Sequence, residues 1–135
     1  MDANFFDLDL EIEAFFGESI ERLQKRFLTT YSFRVEASKA LINLLSRPES
    51  LHSVIALPPS GLMAGYLNTV KKANGVIVAI TDKPENILER IAFYDIDSTP
   101  IQKSLTQEEK RWYCKDIKKD ITYFGKSYKR AHPLA

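Results

Sequence analysis

Apolar and polar positions along the chain follow two rhythms, and their order predicts a mixed α/β fold. Asn4-Phe5-Phe6-Asp7-Leu8-Asp9 is a short strand-like run whose acids would stand at its carboxyl end. Residues 10–16 then take a helical rhythm that Gly17 stops. Ser19 is placed to cap a helix through Phe27, and Thr29 or Thr30 another through Leu45. In that second helix Phe33, Ala37, Ala40, Leu41 and Leu44 recur at spacings of three and four, the stripe of a buried face.

Val54-Ile55-Ala56-Leu57 is a continuous apolar run of the kind a strand buried on both faces needs, and Pro58-Pro59 ends it. Residues 61–72 read as a helix. Val76-Ile77-Val78-Ala79-Ile80, introduced by Asn74-Gly75, reads as a second buried strand. Asp82 is the expected cap of the next helix, with Pro84 in its first turn and Glu85 three residues after the cap. In the last third Tyr113, Ile117, Ile121, Phe124 and Tyr128 keep helical spacing behind a Thr106-x-x-Glu109 capping box. One long helix is expected from Thr106 to Arg130, with Gly125 as its weak point.

Strands alternating with helices imply a mainly parallel sheet with helices on its faces. Ligands of such sheets bind beyond the carboxyl ends of the strands. That rule selects Asp7, Asp9 and the turn Pro58-Pro59-Ser60-Gly61.

Bulk properties narrow the function classes. A length of 135 residues suits one domain, taken as residues 1–135. Nineteen basic residues against 18 acidic ones leave a net charge of +1, which argues against nucleic acid or membrane as a bulk electrostatic partner. No apolar run approaches the roughly 20 residues that span a bilayer. The first six residues carry an acid and no basic n-region, so no signal peptide is expected. With Cys114 as the single cysteine, no internal disulfide can form, and a reducing cytoplasm is the natural setting. His52 and His132 are far apart and no CxxC exists, so metal-site spacing is lacking.

Three pieces in this order resemble the shikimate kinase family. Phe5-Phe6-Asp7-Leu8-Asp9-x-Glu11-Ile12-Glu13, followed by Gly17-Glu18-Ser19-Ile20, resembles the family's F-x-D-x-D-x-x-I-E run and its G-x-x-I turn. Phe33-Arg34 stands at the F-R-x-x-E position, and Val54-Ile55-Ala56-Leu57 where the family has a strand before a glycine triplet. Pro84-Glu85-Asn86-Ile87-Leu88-Glu89-Arg90 then resembles a helix that usually reads P-x-x-L-x-x-R. The likeness runs from Asn4 to about Tyr113.

It implies a P-loop-kinase-like three-layer α/β fold, with the first strand and P-loop absent and a long C-terminal helix at the end. The family moves the γ-phosphoryl group of ATP, with Mg, to a hydroxyl of shikimate. By that resemblance Asp7 would lie near the metal and Arg90 on the nucleotide side. Asp9 would hold substrate hydroxyls and help take the proton. Arg34 would clamp the substrate carboxylate, a task suited to a planar bidentate donor, with Ser60 and Gly61 at the substrate turn.

Several departures bear on activity. Phosphoryl transfer rests on positioning and on neutralising the phosphates. The G-x-x-x-x-G-K-[ST] loop that does this is not in the sequence; Gly125-Lys126-Ser127 imitates only its end, with Asp120 where the first glycine belongs. The resemblance puts that loop before Met1, in a strand–loop–helix unit of roughly thirty residues. Pro58-Pro59-Ser60 replaces the glycine triplet, and proline removes amide donors. The lid arginine before a proline is replaced by Thr99, in the acidic stretch Asp95-Ile96-Asp97-Ser98-Thr99-Pro100, and a further family arginine by Glu109.

Plainer readings stand beside these. Asp7 and Asp9 would simply end a strand and cap a helix, Arg34 would be a surface arginine paired with Glu36 or a neighbouring acid, and Ser60 would cap the following helix. The acidic stretch would be a solvated loop rather than a cation site. Cys114 falls on the apolar stripe. Residues 101–135 hold nine basic residues against four acidic ones, with Tyr123 and Tyr128 among them, and a solvated helix face is preferred to a nucleic-acid track.

The expectation is a shikimate-kinase-like protein that does not run the family reaction as it stands, being either a truncated copy or a pseudoenzyme. The alternative is a non-catalytic module for a small carboxylate or a protein partner. Open inner strand edges would favour a homo-oligomer.

Overall fold

The computed structural model describes residues 3–60 and 63–130, with the side chains of all of these except residue 130. The chain divides into two compact units, Met1–Gly75 and Val76–Ala135, and each is taken on its own. It is a mixed α/β structure, mostly helical, with a small parallel sheet and a long C-terminal helix, consistent with a P-loop-kinase-like fold.

In the first unit β1 (Asn4–Asp7) pairs in parallel with β2 (Ser53–Ala56), placing Phe5 opposite Val54 and Asp7 opposite Ala56. α1 (Leu8–Phe16) follows β1 without a linker. Asp7 has extended backbone and its Oδ1 accepts the Asp9 N–H at 2.9 Å, so the helix begins at Leu8, two residues before the expected point. Asp9 therefore belongs to the first helical turn and not to the strand. At the other end Gly17 adopts φ +68 and its N–H reaches the Glu13 carbonyl at 2.8 Å, the left-handed cap that glycine accepts without a Cβ penalty.

Ser19 caps α2 (Ile20–Lys25) through the Arg22 N–H, and Thr29 caps α3 (Thr30–Ser46) through the Ser32 N–H. The expected stripe of α3 is the buried one: Phe33, Ala37, Ala40, Leu41 and Leu44 are each 6% exposed or less. Leu8 and Ile12 of α1, Leu23 of α2 and Tyr66 of α4 (Gly65–Lys72) complete the core. α4 starts at Gly65, four residues after the expected start. Ala64 precedes it at φ 51, so Ser60 is not its cap. Arg47, just past α3, pairs with Glu11 of α1 and lies 5.8 Å from the centre of the Phe6 ring.

In the second unit the expected strand at residues 76–80 is not formed. Val76, Val78 and Ile80 are 91%, 76% and 89% exposed, and no described strand pairs with the segment. Its β-branched composition is a preference that packing must reward, and here only Ile77 is partly covered. α5 (Pro84–Arg90) opens with proline at its first position. The backbone cap is Lys83, while Asp82 just before it accepts from the Lys83 N–H at 2.7 Å and from Asn86 at 2.9 Å.

β3 (Phe93–Tyr94) and β4 (Pro100–Ile101) form an antiparallel hairpin. α6 (Gln107–Arg130) opens on the expected capping box, with Glu109 N–H to Thr106 Oγ1 at 3.1 Å and Thr106 N–H to Glu109 Oε1 at 3.2 Å. It runs through Gly125 without a break. Its inner face carries Tyr113, Cys114, Ile117, Ile121, Phe124 and Tyr128, all half-buried, and buried Ser127. α5 lies against α6, and the Phe93 and Tyr113 rings meet edge to face at 5.7 Å.

Candidate functional site

Beyond the carboxyl end of β1, three helices bring an acid, a base and a phenol together. Asp9 comes from the first turn of α1, Arg34 from the first turns of α3, and Tyr66 from the start of α4. Asp9 and Arg34 are close enough to push the Tyr66 pKa in opposite directions, Asp9 up and Arg34 down, both after the larger effect of burial.

Local folding explains the convergence. The Asp7 cap starts α1 early enough to turn Asp9 off the strand line. The Thr29 cap sets where α3 begins, and Phe33 in the core leaves its neighbour Arg34 on the flank of that face. α4 then approaches α3 closely: a Cβ built on Gly65 would lie 2.8 Å from Ser38 Oγ and 3.8 Å from the Arg34 carbonyl. Only a residue without a side chain permits that approach.

Electrostatically the site is costly. Burial raises the Asp9 carboxyl above its ordinary pKa, and the neighbouring acids Asp7, Glu13 and Glu21 push the same way. Burial also raises the Tyr66 phenol, with Asp9 adding to the rise and Arg34 opposing it. Arg34 Nε is buried and has no hydrogen-bond partner among the described residues. Its plain alternative, a pair with Glu36 or a neighbouring acid, is not seen among the described residues, and Glu36 binds Lys39 at 2.8 Å. A buried guanidinium N–H without an acceptor is expensive. A planar anion such as a carboxylate would satisfy it.

The other sequence candidates fall elsewhere. Asp7 spends one carboxylate oxygen on the α1 cap. Ser60 sits in the turn after β2, where its carbonyl accepts the Met63 N–H at 3.1 Å. Gly61 lies outside the described residues. Arg90, in the second unit, is paired with Asp82 at 2.8 Å. Asp82 is held down to about 2 by its hydrogen bond from Asn86, then by Arg90 and the Lys83 N–H. The acidic stretch is a tight hairpin turn: Asp95 Oδ1 accepts the Asp97 and Thr99 N–H groups at 2.8 and 3.0 Å, with Ser98 at φ 60. Lys115, Lys118, Lys119, Lys126 and Lys129 are exposed along α6, as are Trp112 and Tyr123.

The fit to magnesium and ATP can be judged from these residues. Among the described residues no group of three or more His, Cys, Asp or Glu side chains is placed to hold a metal. Gly125, Lys126 and Ser127 lie within α6, where their backbone N–H groups serve the helix and cannot cradle a phosphate. The described residues do not fit a triphosphate. Tyr66 was missed by sequence reasoning, since an aromatic on a short helix carries no mark that sets it apart from ordinary core.

Compared with models of protein families, the chain matches the one described as shikimate kinase over residues 1–127. The comparisons with curated proteins and with solved structures returned no match.

Proposed function

The chain belongs to the shikimate kinase family, and from that premise we propose that it binds a small hydroxy-carboxylate of the shikimate type and does not itself phosphorylate it. In this reading Arg34 takes the carboxylate through paired N–H donors and Asp9 accepts a hydrogen bond from a ligand hydroxyl. The observation that carries it is the buried Arg34 Nε left without a hydrogen-bond partner among the described residues, supported by the desolvation of the Asp9 carboxyl. Magnesium and ATP belong to the family reaction. With Pro58-Pro59-Ser60 where the family has glycines and a hairpin in place of the arginine-bearing lid, the activity proposed is binding rather than transfer.

The same reading takes residues 1–135 as one shikimate-kinase-like domain working in the cytoplasm. No described helix is long and apolar enough to cross a membrane. Self-association is part of the proposal, supported by the exposure of Val76, Val78 and Ile80.

Thermal shift and calorimetry with shikimate and a panel of hydroxy acids test it. Wild type should be stabilised by one of them, and Arg34→Ala should abolish the shift. No shift across the panel would remove the binding reading. ADP release from Mg-ATP and shikimate would overturn the non-catalytic one.

A further inference from the structure

The chain's total charge of +1 hides how that charge is distributed. From Lys110 to Arg130, α6 holds eight basic residues against two acidic ones, Asp116 and Asp120. Its apolar face is taken up inside the second unit, where Tyr113, Ile117, Ile121 and Phe124 are half-buried and Phe93 meets Tyr113. The opposite face is bare. Lys115, Lys119 and Lys126 stand along it, all exposed. Helical geometry puts Lys126 three turns and about 16 Å beyond Lys115, turned by only about 20°.

Trp112 and Tyr123 repeat that eleven-residue spacing on the adjoining line of the helix. They are 61% and 56% exposed, although large rings usually gain by being covered. Each meets a half-buried neighbour edge to face, Trp112 with Tyr113 at 4.9 Å and Tyr123 with Phe124 at 5.3 Å. Both rings thus have a seat beside the lysine row.

The lysines are not used inside the protein. None of the three forms an ion pair among the described residues, although Asp116 lies one turn from Lys119. The acids of the N-terminal stretch do not call for them either, since Glu11 is paired with Arg47 and Glu18 with Arg26.

A row of unpaired cations flanked by open rings matches one class of polymer. Single-stranded nucleic acid carries a phosphate on every unit and a flat base beside it. A membrane would take an amphipathic helix by its apolar face, which α6 turns into its own unit. An acidic protein would use the lysines and leave the rings idle.

We propose that the outer face of α6 is a binding surface for single-stranded nucleic acid: Lys115, Lys119 and Lys126 follow the phosphates, and Trp112 and Tyr123 stack on bases. The surface belongs to the second unit and is independent of the hydroxy-acid reading.

Binding of a short labelled oligothymidylate to the full chain is followed by anisotropy across salt concentrations. Stacking is read with the unlabelled strand from the emission of Trp112, the only tryptophan. Three phosphates neutralised by the lysine row give a slope of about −2 in log K against log salt. Lys115→Gln/Lys119→Gln/Lys126→Gln should remove about that much slope, while Lys71→Gln/Lys72→Gln, on the exposed end of α4, should not. Trp112 emission should fall on binding, and Trp112→Ala should weaken binding about tenfold with the slope kept. Arg34→Ala, which tests the hydroxy-acid reading, should leave this binding unchanged.

No binding at low salt, or a triple variant that binds like wild type, would overturn the proposal. Equal affinity for polyglutamate with unchanged Trp112 emission would assign the face to an acidic protein, and uptake by phosphatidylserine vesicles would assign it to a membrane. Either result overturns the nucleic-acid surface as well.

Discussion

Replacing Gly65 with alanine puts a methyl group where α4 meets α3, and the structure fixes the size of the insult. The new Cβ would stand 2.8 Å from Ser38 Oγ and 3.1 Å from Ser38 Cβ. Ser38 is 7% exposed, and its hydroxyl is tied to the Val35 carbonyl, so neither atom swings aside freely. Overpacking of this kind costs about 1–3 kcal/mol. Alanine's preference for helix returns about 0.5–1 kcal/mol, because glycine loses more chain entropy on folding. Gly65 is the first residue of α4, so that return stays at about 0.5 kcal/mol, and the net loss is about 0.5–2.5 kcal/mol, read as a lower midpoint in urea with an unchanged slope. Ser38→Ala removes the nearer atom and leaves the Cβ contact, so the double variant should recover about 0.5–1 kcal/mol relative to the sum of the single losses. A Gly65→Ala protein as stable as wild type, or strict additivity of the pair, would refute the close approach of α4 on which the placement of Tyr66 depends.

The pH behaviour of two aspartates gives opposite signs. Folding raises the Asp9 pKa, so its ionised form is disfavoured in the native state, and stability is lost as pH rises through the folded value. Asp9→Asn should therefore raise the melting temperature at neutral pH, with the gain vanishing below about pH 3.8, while hydroxy-acid binding is lost. Asp82 is the reverse: its pKa falls to about 2 from 3.8, so its contribution is present above 3.8 and is lost as pH drops through about 2. Asn86→Ala and Arg90→Ala should each move its carboxyl titration, followed by ¹³C NMR, back toward 3.8; an unmoved titration would show that the α5 turn does not set it.

Much of the first unit was legible because its signals are local. Ser19 and Thr29 cap where their hydroxyls can reach, and the α3 stripe follows helical spacing; in the second unit the Thr106–Glu109 box is local in the same way. The family likeness rested on the same stretches. Residues 76–80 misled because strand formation is decided by a neighbouring edge, which sequence pattern does not contain. The helix start at Leu8 turned on a choice between two carboxylates, and Asp7 won by its extended backbone. Asp9 and Arg34 were found through the family motifs, not through any periodicity. Their common neighbour Tyr66 was invisible, since only the approach of α4 to α3 brings it to them. The weak point expected at Gly125 did not appear, because one glycine costs about 1 kcal/mol and the apolar face on either side of it outweighs that.

The uncovered run at residues 76–80 also sets how this chain behaves as a material. Five uncharged residues in a row, four of them β-branched and three more than three-quarters bare, act as a sticker on an otherwise well-charged polymer. Attraction between stickers grows with the number of molecules per volume, while the strength of the two folded units does not. The working range of the protein in solution is thus governed by crowding of this one segment, and a single lysine within it would widen that range without touching either core.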